Sequence, residues 1–165
     1  MESKKGGETQ LVVFTLKGEE FACHISDVRE VLKVAQVTPL PRSLDFVEGV
    51  INLRGEVIPV LDLRRRFGLP GAERTEQSRT VIVDLHSRPV GLIVDSVSEV
   101  IRLPQSQIQE TPDQVAGNKT HLILGVGKAG DRLLIILNLE RILSGEEQIA
   151  LDDILFAARE AAAGG

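Results

Sequence analysis

The glycine pattern at 125–130, Gly-Val-Gly-Lys-Ala-Gly, matches the GxGxxG motif that can cradle the pyrophosphate of a dinucleotide. That chemistry needs a helix directly after the glycines, so that its N-terminal amides face the phosphates. Here the glycines lead into Arg132–Leu137, an apolar run typical of a strand. The pattern therefore predicts a glycine-rich turn and no nucleotide cofactor.

Metal or thiol chemistry would require histidines and cysteines at ligand spacing. The three histidines, His24, His86 and His121, are scattered, and Cys23 has no second cysteine beside it. A single cysteine cannot form an internal disulfide. Since Cys23 alternates with Phe21, we expect it to point into a barrel core. The sequence predicts no bound metal.

Hydrolytic chemistry has equally little support. No GxSxG motif is present. Four carboxylates could form a catalytic pair, but acidic surface residues are too common to indicate one: Asp84, Asp95, Glu30 and Glu99. The run Arg64–Arg66 on a one-turn helix is expected to be a solvated face. We predict that the protein is not an enzyme.

The overall composition limits the class of protein. The chain has 165 residues, of which 42% are hydrophobic, enough for one domain or two small barrels. The net charge of −5 and the lack of Trp and Tyr disfavour nucleic acid as a partner. No apolar stretch is long enough to insert in a membrane, and residues 1–10 lack the apolar segment of a signal peptide. A cytoplasmic protein is expected.

Short β-type runs separated by turns fill most of the chain and predict an all-β fold. The predicted strands are Leu11–Leu16, Glu20–Ile25, Leu32–Val37, Val47–Leu53, Val57–Leu61, Arg79–Leu85, Val90–Val94, Val100–Leu103, His121–Val126 and Arg132–Leu137. Short helices are predicted over Asp27–Val31, capped by Ser26, and over Asp62–Phe67, ended by Gly68.

The ends and the middle of the chain have a different character. Residues 1–10 are predicted to be a disordered leader, and the polar segment Leu69–Ser78 a linker. Residues 144–165 should form a C-terminal amphipathic helix and a frayed tail. Its packing face is predicted from four apolar residues at helical spacing: Ile149, Ile154, Leu155 and Ala158.

An internal repeat organises the strands. Residues 11–32 lie on residues 80–101 without a gap, and residues 57–63 lie on residues 133–139. Identical residues stand at several matched positions: Val12/Val81, Leu16/Leu85, Val28/Val97, Glu30/Glu99 and Val31/Val100. The repeat predicts two pseudo-symmetric five-stranded barrels within a domain at 11–143, the first over about 11–78 and the second over about 79–143.

One segment, Val47–Phe67, has polar residues that strand patterning does not explain. It reads VEGVINLRGEVIPVLDLRRRF, two apolar strands around Arg54-Gly55-Glu56 followed by a short helix. Asn52 and Arg54 interrupt the apolar pattern, and such residues must satisfy their hydrogen bonds or carry a function. We call Val47–Phe67 the signature segment.

The signature segment strongly resembles the hairpin and helix of CheW-type coupling proteins, with the pattern GV-x-NLRG-x-x-(I/V)P-(I/V)-x-DLR-x-x-F. The runs LVVFTLKGEEFA, SDVREVL, VGLIVDSVSEVI and GDRLLIILNLERIL agree with the same family in order along the chain. The resemblance covers about residues 10–160. It implies two five-stranded SH3-like barrels, which agrees with the repeat.

The resemblance also implies a function. Proteins of this family are non-enzymatic cytoplasmic adaptors recruited to membrane receptor arrays. They bind the regulatory domain of a CheA-type histidine kinase and the cytoplasmic tip of methyl-accepting chemoreceptors. The positions of this chain that match the family's receptor-binding residues are Val28, Glu30, Val31, Gly49, Asn52, Arg54 and Val100.

Further expectations concern these residues. Val31 and Val100, related by the repeat, could line one groove, although the valines could instead be barrel core. Glu30 and Arg54 are predicted to form an ion pair at the groove rim. No residue is assigned to kinase binding, and the loop Pro104–Lys119 is a candidate for it.

Two other classes of protein stay open at this point. The chain could be a regulatory module of a larger kinase or of a receiver-fused coupling protein, which the polar start and the C-terminal helix disfavour. It could also be a small-molecule-binding β-barrel. The dense Val, Ile and Leu pattern disfavours that class because it predicts barrels filled by side chains.

Overall fold

A computed structural model describes residues 7–34, 36–40, 44–71, 73–110 and 122–164. Its strands are β1 (Glu8–Leu16), β2 (Glu19–His24), β3 (Val28–Lys33), β4 (Val47–Leu53), β5 (Glu56–Asp62), β6 (Arg79–Leu85), β7 (Arg88–Val94), β8 (Ser96–Pro104), β9 (Ile108–Glu110), β10 (Ile123–Ala129) and β11 (Arg132–Leu137). The helices are α1 (Leu63–Arg66) and α2 (Gly145–Gly164), with 3₁₀ turns at Ile25–Asp27, Gln105–Gln107 and Leu139–Arg141. The predicted all-β class with short helices is confirmed.

The strands form two sheets, each built from both halves of the chain. The six-stranded sheet has the order β8-β1-β2-β11-β10-β9, and the five-stranded sheet has the order β3-β6-β7-β5-β4. The β1–β2 hairpin therefore joins strands of the second half, and the β6–β7 hairpin joins strands of the first. The predicted division into one barrel over 11–78 and another over 79–143 does not match this exchange of hairpins.

The exchange of hairpins gives the two sheets equivalent strand pairs, as the repeat predicts. In the six-stranded sheet Val12 pairs with Val100, and in the five-stranded sheet Val81 pairs with Val31. These two pairs are related by the repeat, because Val12 corresponds to Val81 and Val100 to Val31. Apart from the added β9, the two sheets thus have the same strand order and the same register.

Three apolar clusters explain why several strands are buried on both faces. In β1, Leu11 and Val13 point into a cluster within the six-stranded sheet, and the alternate residues Val12 and Phe14 point into a large cluster shared with the five-stranded sheet. A third cluster, around Ile58, fills the five-stranded sheet. This shared burial holds two sheets together that would each be small alone.

Cys23 is buried, as predicted, but it faces the shared cluster rather than the interior of one barrel. Burial, with a smaller contribution from the negative charge of Asp27, raises the pKa of its thiol to about 12.

The predicted helix at Asp27–Val31 is wrong. A 3₁₀ turn at Ile25–Asp27 is followed directly by β3, and Ser26 does not cap a helix because it lies inside that turn. The residues Val28–Lys33 alternate in exposure and pair with β6, so strand pairing overrides the weak helical pattern. The predicted strand Leu32–Val37 accordingly begins earlier, at Val28.

The ends of the domain also differ from the prediction. Glu8–Gln10, assigned to the leader, belong to β1, and Glu8 pairs with Pro104 of β8. Residues 1–6 lie outside the described residues. Leu69–Ser78 contains no helix or strand among its described residues, in agreement with a linker.

The C-terminal helix is present as α2, and a capping box begins it. The Ser144 amide donates to Glu147 Oε1 at 2.8 Å, and the Glu147 amide donates to Ser144 Oγ at 3.1 Å. Leu151 and Leu155 are buried against the shared cluster, whereas Ile149, predicted to be on the packing face, is 64% exposed. The helix continues to Gly164, past the start of the predicted frayed tail.

Candidate functional site

The turn of the signature segment has a local explanation for its Asn-Leu-Arg-Gly sequence. Leu53 pairs with Glu56, so Arg54 and Gly55 form a two-residue turn with φ angles of 52° and 90°. Positive φ at both positions is typical of a type I′ hairpin turn. Asn52 Oδ1 accepts a hydrogen bond from the Gly55 amide at 2.8 Å. Asn52 therefore stabilises the turn, which is a structural role that the sequence alone did not reveal.

Arg54 forms the predicted ion pair with Glu30. A guanidinium nitrogen of Arg54 donates to Glu30 Oε2. Glu30 lies on β3 rather than on a helix, and β3 and β4 are opposite edges of the five-stranded sheet. A contact between the edge strand and the hairpin at the other side requires the sheet to curl, as in a small barrel.

A bulge in β3 sets the position of Glu30. The register with β6 shifts between Val28 and Glu30, which leaves Arg29 as the extra residue. Arg29 Nε donates to Asp84 Oδ1 at 2.8 Å. The neighbouring residues Arg29 and Glu30 thus make separate ion pairs, one with β6 and one with the signature turn.

The six-stranded sheet contains a similar ion pair, of which the glutamate, but not the arginine, is related by the repeat. Glu99, the counterpart of Glu30, accepts a hydrogen bond from Arg132 at 2.7 Å. Arg132 also binds both carboxylate oxygens of Glu20, at 3.0 and 2.8 Å. The hydrogen bond from Arg132 lowers the pKa of Glu20, although partial desolvation opposes this, and the pKa of Arg132 is raised. In both sheets, an arginine from the β-hairpin that closes the sheet meets a glutamate on the edge strand.

The valines of the predicted site have different environments. Val31 on β3 is 39% exposed and Val100 on β8 is 50% exposed, and both strands are sheet edges. These two side chains are therefore not barrel core. Val28 is half-buried and packs against the shared cluster, so its role is to pack β3 onto the core beneath the exposed Val31.

Gly49 is buried and has a structural role. A Cβ atom at this position would lie 2.1 Å from the Thr38 carbonyl oxygen, and its φ of 150° is one that side chains rarely adopt. Thr38 and Val50 exchange backbone hydrogen bonds of 2.9 Å beside it. Gly49 therefore lets the segment before β4 lie against the signature hairpin, and it offers no side chain to a partner.

Asp62, which ends β5, begins the short helix of the signature segment. Asp62 Oδ1 accepts hydrogen bonds from the amides of Arg64, at 3.0 Å, and Arg65, at 3.4 Å. These two hydrogen bonds fix the residue at which α1 starts, and therefore the directions of its three consecutive arginine side chains.

The prediction that Arg64–Arg66 form a solvated face is wrong for two of them. Arg64 binds Asp95 with contacts of 2.9 and 2.5 Å, and this bond lowers the pKa of Asp95. Arg66 donates to the Ile142 carbonyl at 2.6 Å and lies 4.7 Å from the centre of the Phe46 ring. The two arginines tie α1 to the β7–β8 junction and to the start of α2. Only Arg65 is largely exposed.

The glycine pattern at 125–130 is mostly strand. Gly125 and Gly127 lie in β10, and a Cβ at Gly125 would be 2.5 Å from the Gln109 carbonyl of β9, so close strand packing explains this glycine. Only Gly130 lies in the turn, at a φ of 65°. No helix follows, as predicted.

Within the described ranges, the structure contains no group of three or more His, Cys, Asp or Glu residues that could hold a metal ion. None of the helices described is long and apolar enough to cross a bilayer. Residues 111–119 of the candidate loop Pro104–Lys119 lie outside the described part of the chain, as does His121.

Comparison with known proteins agrees with this architecture. The CheW-like domain family model matches residues 10–147. The chain is 36% identical over 155 residues to the chemotaxis protein CheW of Klebsiella aerogenes, covering 92% of this chain and 93% of that protein. It is 36% identical over 150 residues to the chemotaxis protein CheW of Bacillus subtilis, covering 90% and 96%.

A solved structure gives the same result for the fold. The crystal structure of the scaffolding protein TtCheW from Thermoanaerobacter tengcongensis superposes with a TM-score of 0.79 at 36% identity, covering 86% of this chain and 96% of that one. The residues matched by the family model, 10–147, include the signature segment and most of both sheets. On this evidence, the chain belongs to the CheW-like family.

Proposed function

We propose that this protein is a non-enzymatic adaptor that couples chemoreceptors to a CheA-type histidine kinase. The observation that carries the proposal is family membership over residues 10–147, which includes all of the two-sheet body except the first two residues of β1. The relatives are chemotaxis proteins, and the solved structure is described as a scaffolding protein. An adaptor needs separate contact surfaces on a stiff body, and two sheets joined by a shared apolar cluster provide such a body.

The proposed receptor-binding residues fall into two groups with different roles. Val31, Val100, Glu30 and Arg54 present side chains at the surface and would contact the receptor tip. The other three residues would act indirectly, by holding the backbone of β3 and of the signature hairpin in place: Val28, Gly49 and Asn52. This division follows from their environments: Val28 is half-buried, Gly49 is buried, and Asn52 binds the Gly55 amide.

The mode of binding that fits these residues is helix-in-groove recognition. An exposed valine supplies apolar contact on each of the edge strands β3 and β8, and the Glu30–Arg54 pair supplies a polar rim. A helical receptor tip would place apolar side chains against the valines and polar groups against the rim. In this account, the protein is cytoplasmic and reaches the membrane only through its receptor partner.

A small-molecule-binding barrel has less support. The interiors of the two sheets are filled by packed side chains, for example Leu134 and Ile136 in one sheet and Ile58 and Val60 in the other. Filled barrels of this size leave their function to the outer surface.

Co-sedimentation tests the proposal. Receptor cytoplasmic fragments anchored on vesicles are mixed with the kinase, with or without this protein. We expect the protein to pellet with the receptor fragment, and the kinase to pellet in larger amount when the protein is present. If this protein stays in the supernatant with its own receptor and kinase, the adaptor function is wrong.

A further inference from the structure

The C-terminal helix α2 has a second apolar stripe that faces away from the body of the protein. Ile149 and Phe156 are each 64% exposed, although both are large apolar side chains. They are seven residues apart, which places them on the same side of the helix, about 10 Å from one another along its axis. The packing side of the helix carries Leu151 and Leu155 instead.

Acidic residues line one side of this stripe. Glu146, Asp153 and Glu160 are exposed and lie within about 60° of Ile149 around the helix axis. Arg159 is the one exposed basic residue in the described part of α2, and it lies on the flank of the stripe. The outward face thus combines two apolar anchors with three negative charges.

The helix holds this face in a fixed position. Its N-terminus is fixed by the Ser144–Glu147 capping box, and Arg66 donates to Glu147 at 3.2 Å. Arg88 forms an ion pair with Asp152 on the flank of the helix. A partner that binds here would not need to order α2 first, so less conformational entropy is lost on binding.

We propose that the outward face of α2, formed by Ile149, Phe156, Glu146, Asp153 and Glu160, docks a cationic amphipathic helix of a partner protein. Apolar residues of that helix would contact Ile149 and Phe156, and its Lys or Arg side chains would meet the acidic flank. An anionic lipid surface is the wrong partner, because it would be repelled by the same carboxylates. Two copies of α2 face to face would repel each other for the same reason.

A synthetic peptide provides the test. The probe is an amphipathic helix of about 18 residues, with leucines at heptad spacing, flanking lysines and one tryptophan. Because the protein contains no tryptophan, fluorescence reports the peptide alone. We expect saturable binding to the full chain that weakens as salt is added. The double variant Ile149→Ser/Phe156→Ser should lower the affinity about tenfold or more, and Asp153→Lys/Glu160→Lys should also weaken binding.

Leu133→Ser is the matched control, because Leu133 is an equally exposed leucine on β11, at 61% exposure. Its affinity for the peptide should equal that of the unmodified protein. The proposal is overturned if a peptide with glutamates in place of the lysines binds as well, or if Ile149→Ser/Phe156→Ser binds unchanged. It is also overturned if the face instead mediates binding to phosphatidylserine vesicles, or a dimer in sedimentation that the double variant abolishes.

Discussion

Arg54 and Glu30, which are far apart along the chain, form an ion pair that joins the turn of the signature segment to the edge strand β3. Arg54 occupies the left-handed first position of the turn, at a φ of 52°, and Glu30 follows the bulge in β3. The turn and the bulge together orient the two side chains so that the guanidinium of Arg54 contacts the carboxylate of Glu30. The contact closes the five-stranded sheet at the surface that we propose binds the receptor.

The first prediction concerns this pair. Because exposed ion pairs contribute about 0–1 kcal/mol to stability, Arg54→Ala should change the urea midpoint little but weaken receptor binding strongly. The charge exchange Glu30→Arg/Arg54→Glu should recover part of the binding if the pair acts as a unit. Arg29→Ala is the control, because it breaks another exposed ion pair on the same strand. Equal losses of receptor binding in Arg29→Ala and Arg54→Ala would refute a specific role for Arg54.

The second prediction separates folding from contact at Gly49. Gly49→Ala places a Cβ against the Thr38 carbonyl at a strained φ, so we expect a loss of about 2 kcal/mol or more in the free energy of unfolding. Gly71→Ala, where a Cβ meets no atom within 4 Å, should change it by less than about 0.5 kcal/mol. Urea denaturation followed by circular dichroism measures both. Full stability of Gly49→Ala together with lost receptor binding would show instead that Gly49 is a contact residue.

Much of the fold follows from patterns in the sequence, but the exchange of hairpins does not. The alternation of apolar residues predicts most strands, and the repeat predicts that the two sheets have equivalent strands. Either copy of the first hairpin presents the same apolar pattern, so local sequence cannot decide which half it pairs with. The parallel contact of β2 with β11, where Ala22 pairs with Ile136, is a long-range choice of this kind.

The candidate site shows the same limit. Glu30 and Arg54 could be paired from family resemblance and complementary charge, and the structure confirms the pair. The roles of Arg64 and Arg66 were missed, because their partners Asp95 and Ile142 are distant in sequence. For Arg64 the one signal was its specified place in the DLR-x-x-F pattern, which a solvated face would not require, whereas Arg66 stands at an unspecified position of that pattern.

The third prediction is a pH dependence of stability from Asp95. The hydrogen bond from Arg64 holds the pKa of Asp95 below its usual value. The stabilisation is therefore present above the pKa of about 3.9 in the unfolded chain, and it is lost as pH falls through the lower, folded value. The Asp95→Asn variant should have a free energy of unfolding about 1–2 kcal/mol lower at pH 7. Its stability should also decline less below about pH 4. Urea denaturation between pH 7 and pH 2.5 measures this.

Arg64→Ala serves as the control for the third prediction, because it removes the principal cause of the lowered pKa and leaves the carboxylate in place. Its stability should also depend less on acid pH. An acid dependence identical to that of the unmodified protein, in both variants, would show that the Arg64–Asp95 pair does not contribute.

The fourth prediction uses the single cysteine as a probe of the shared cluster. Since burial raises the pKa of the Cys23 thiol to about 12, the reactive thiolate is scarce near neutral pH, and the side chain is inaccessible. A thiol reagent at pH 8 should label the native protein very slowly and the urea-unfolded protein at the rate of an ordinary thiol. Rapid labelling of the native protein would contradict the packing between the two sheets.

The most direct test of the adaptor function is the autophosphorylation rate of the kinase in the presence of receptor, measured with and without this protein. The proposal predicts that the protein raises the autophosphorylation rate when the receptor is present and leaves the rate of the kinase alone unchanged. Val31→Asp and Val100→Asp should abolish that rise while their circular dichroism spectra remain those of the folded protein, because both valines are exposed. A rate that does not change when the unmodified protein is added to its own receptor and kinase would contradict the account.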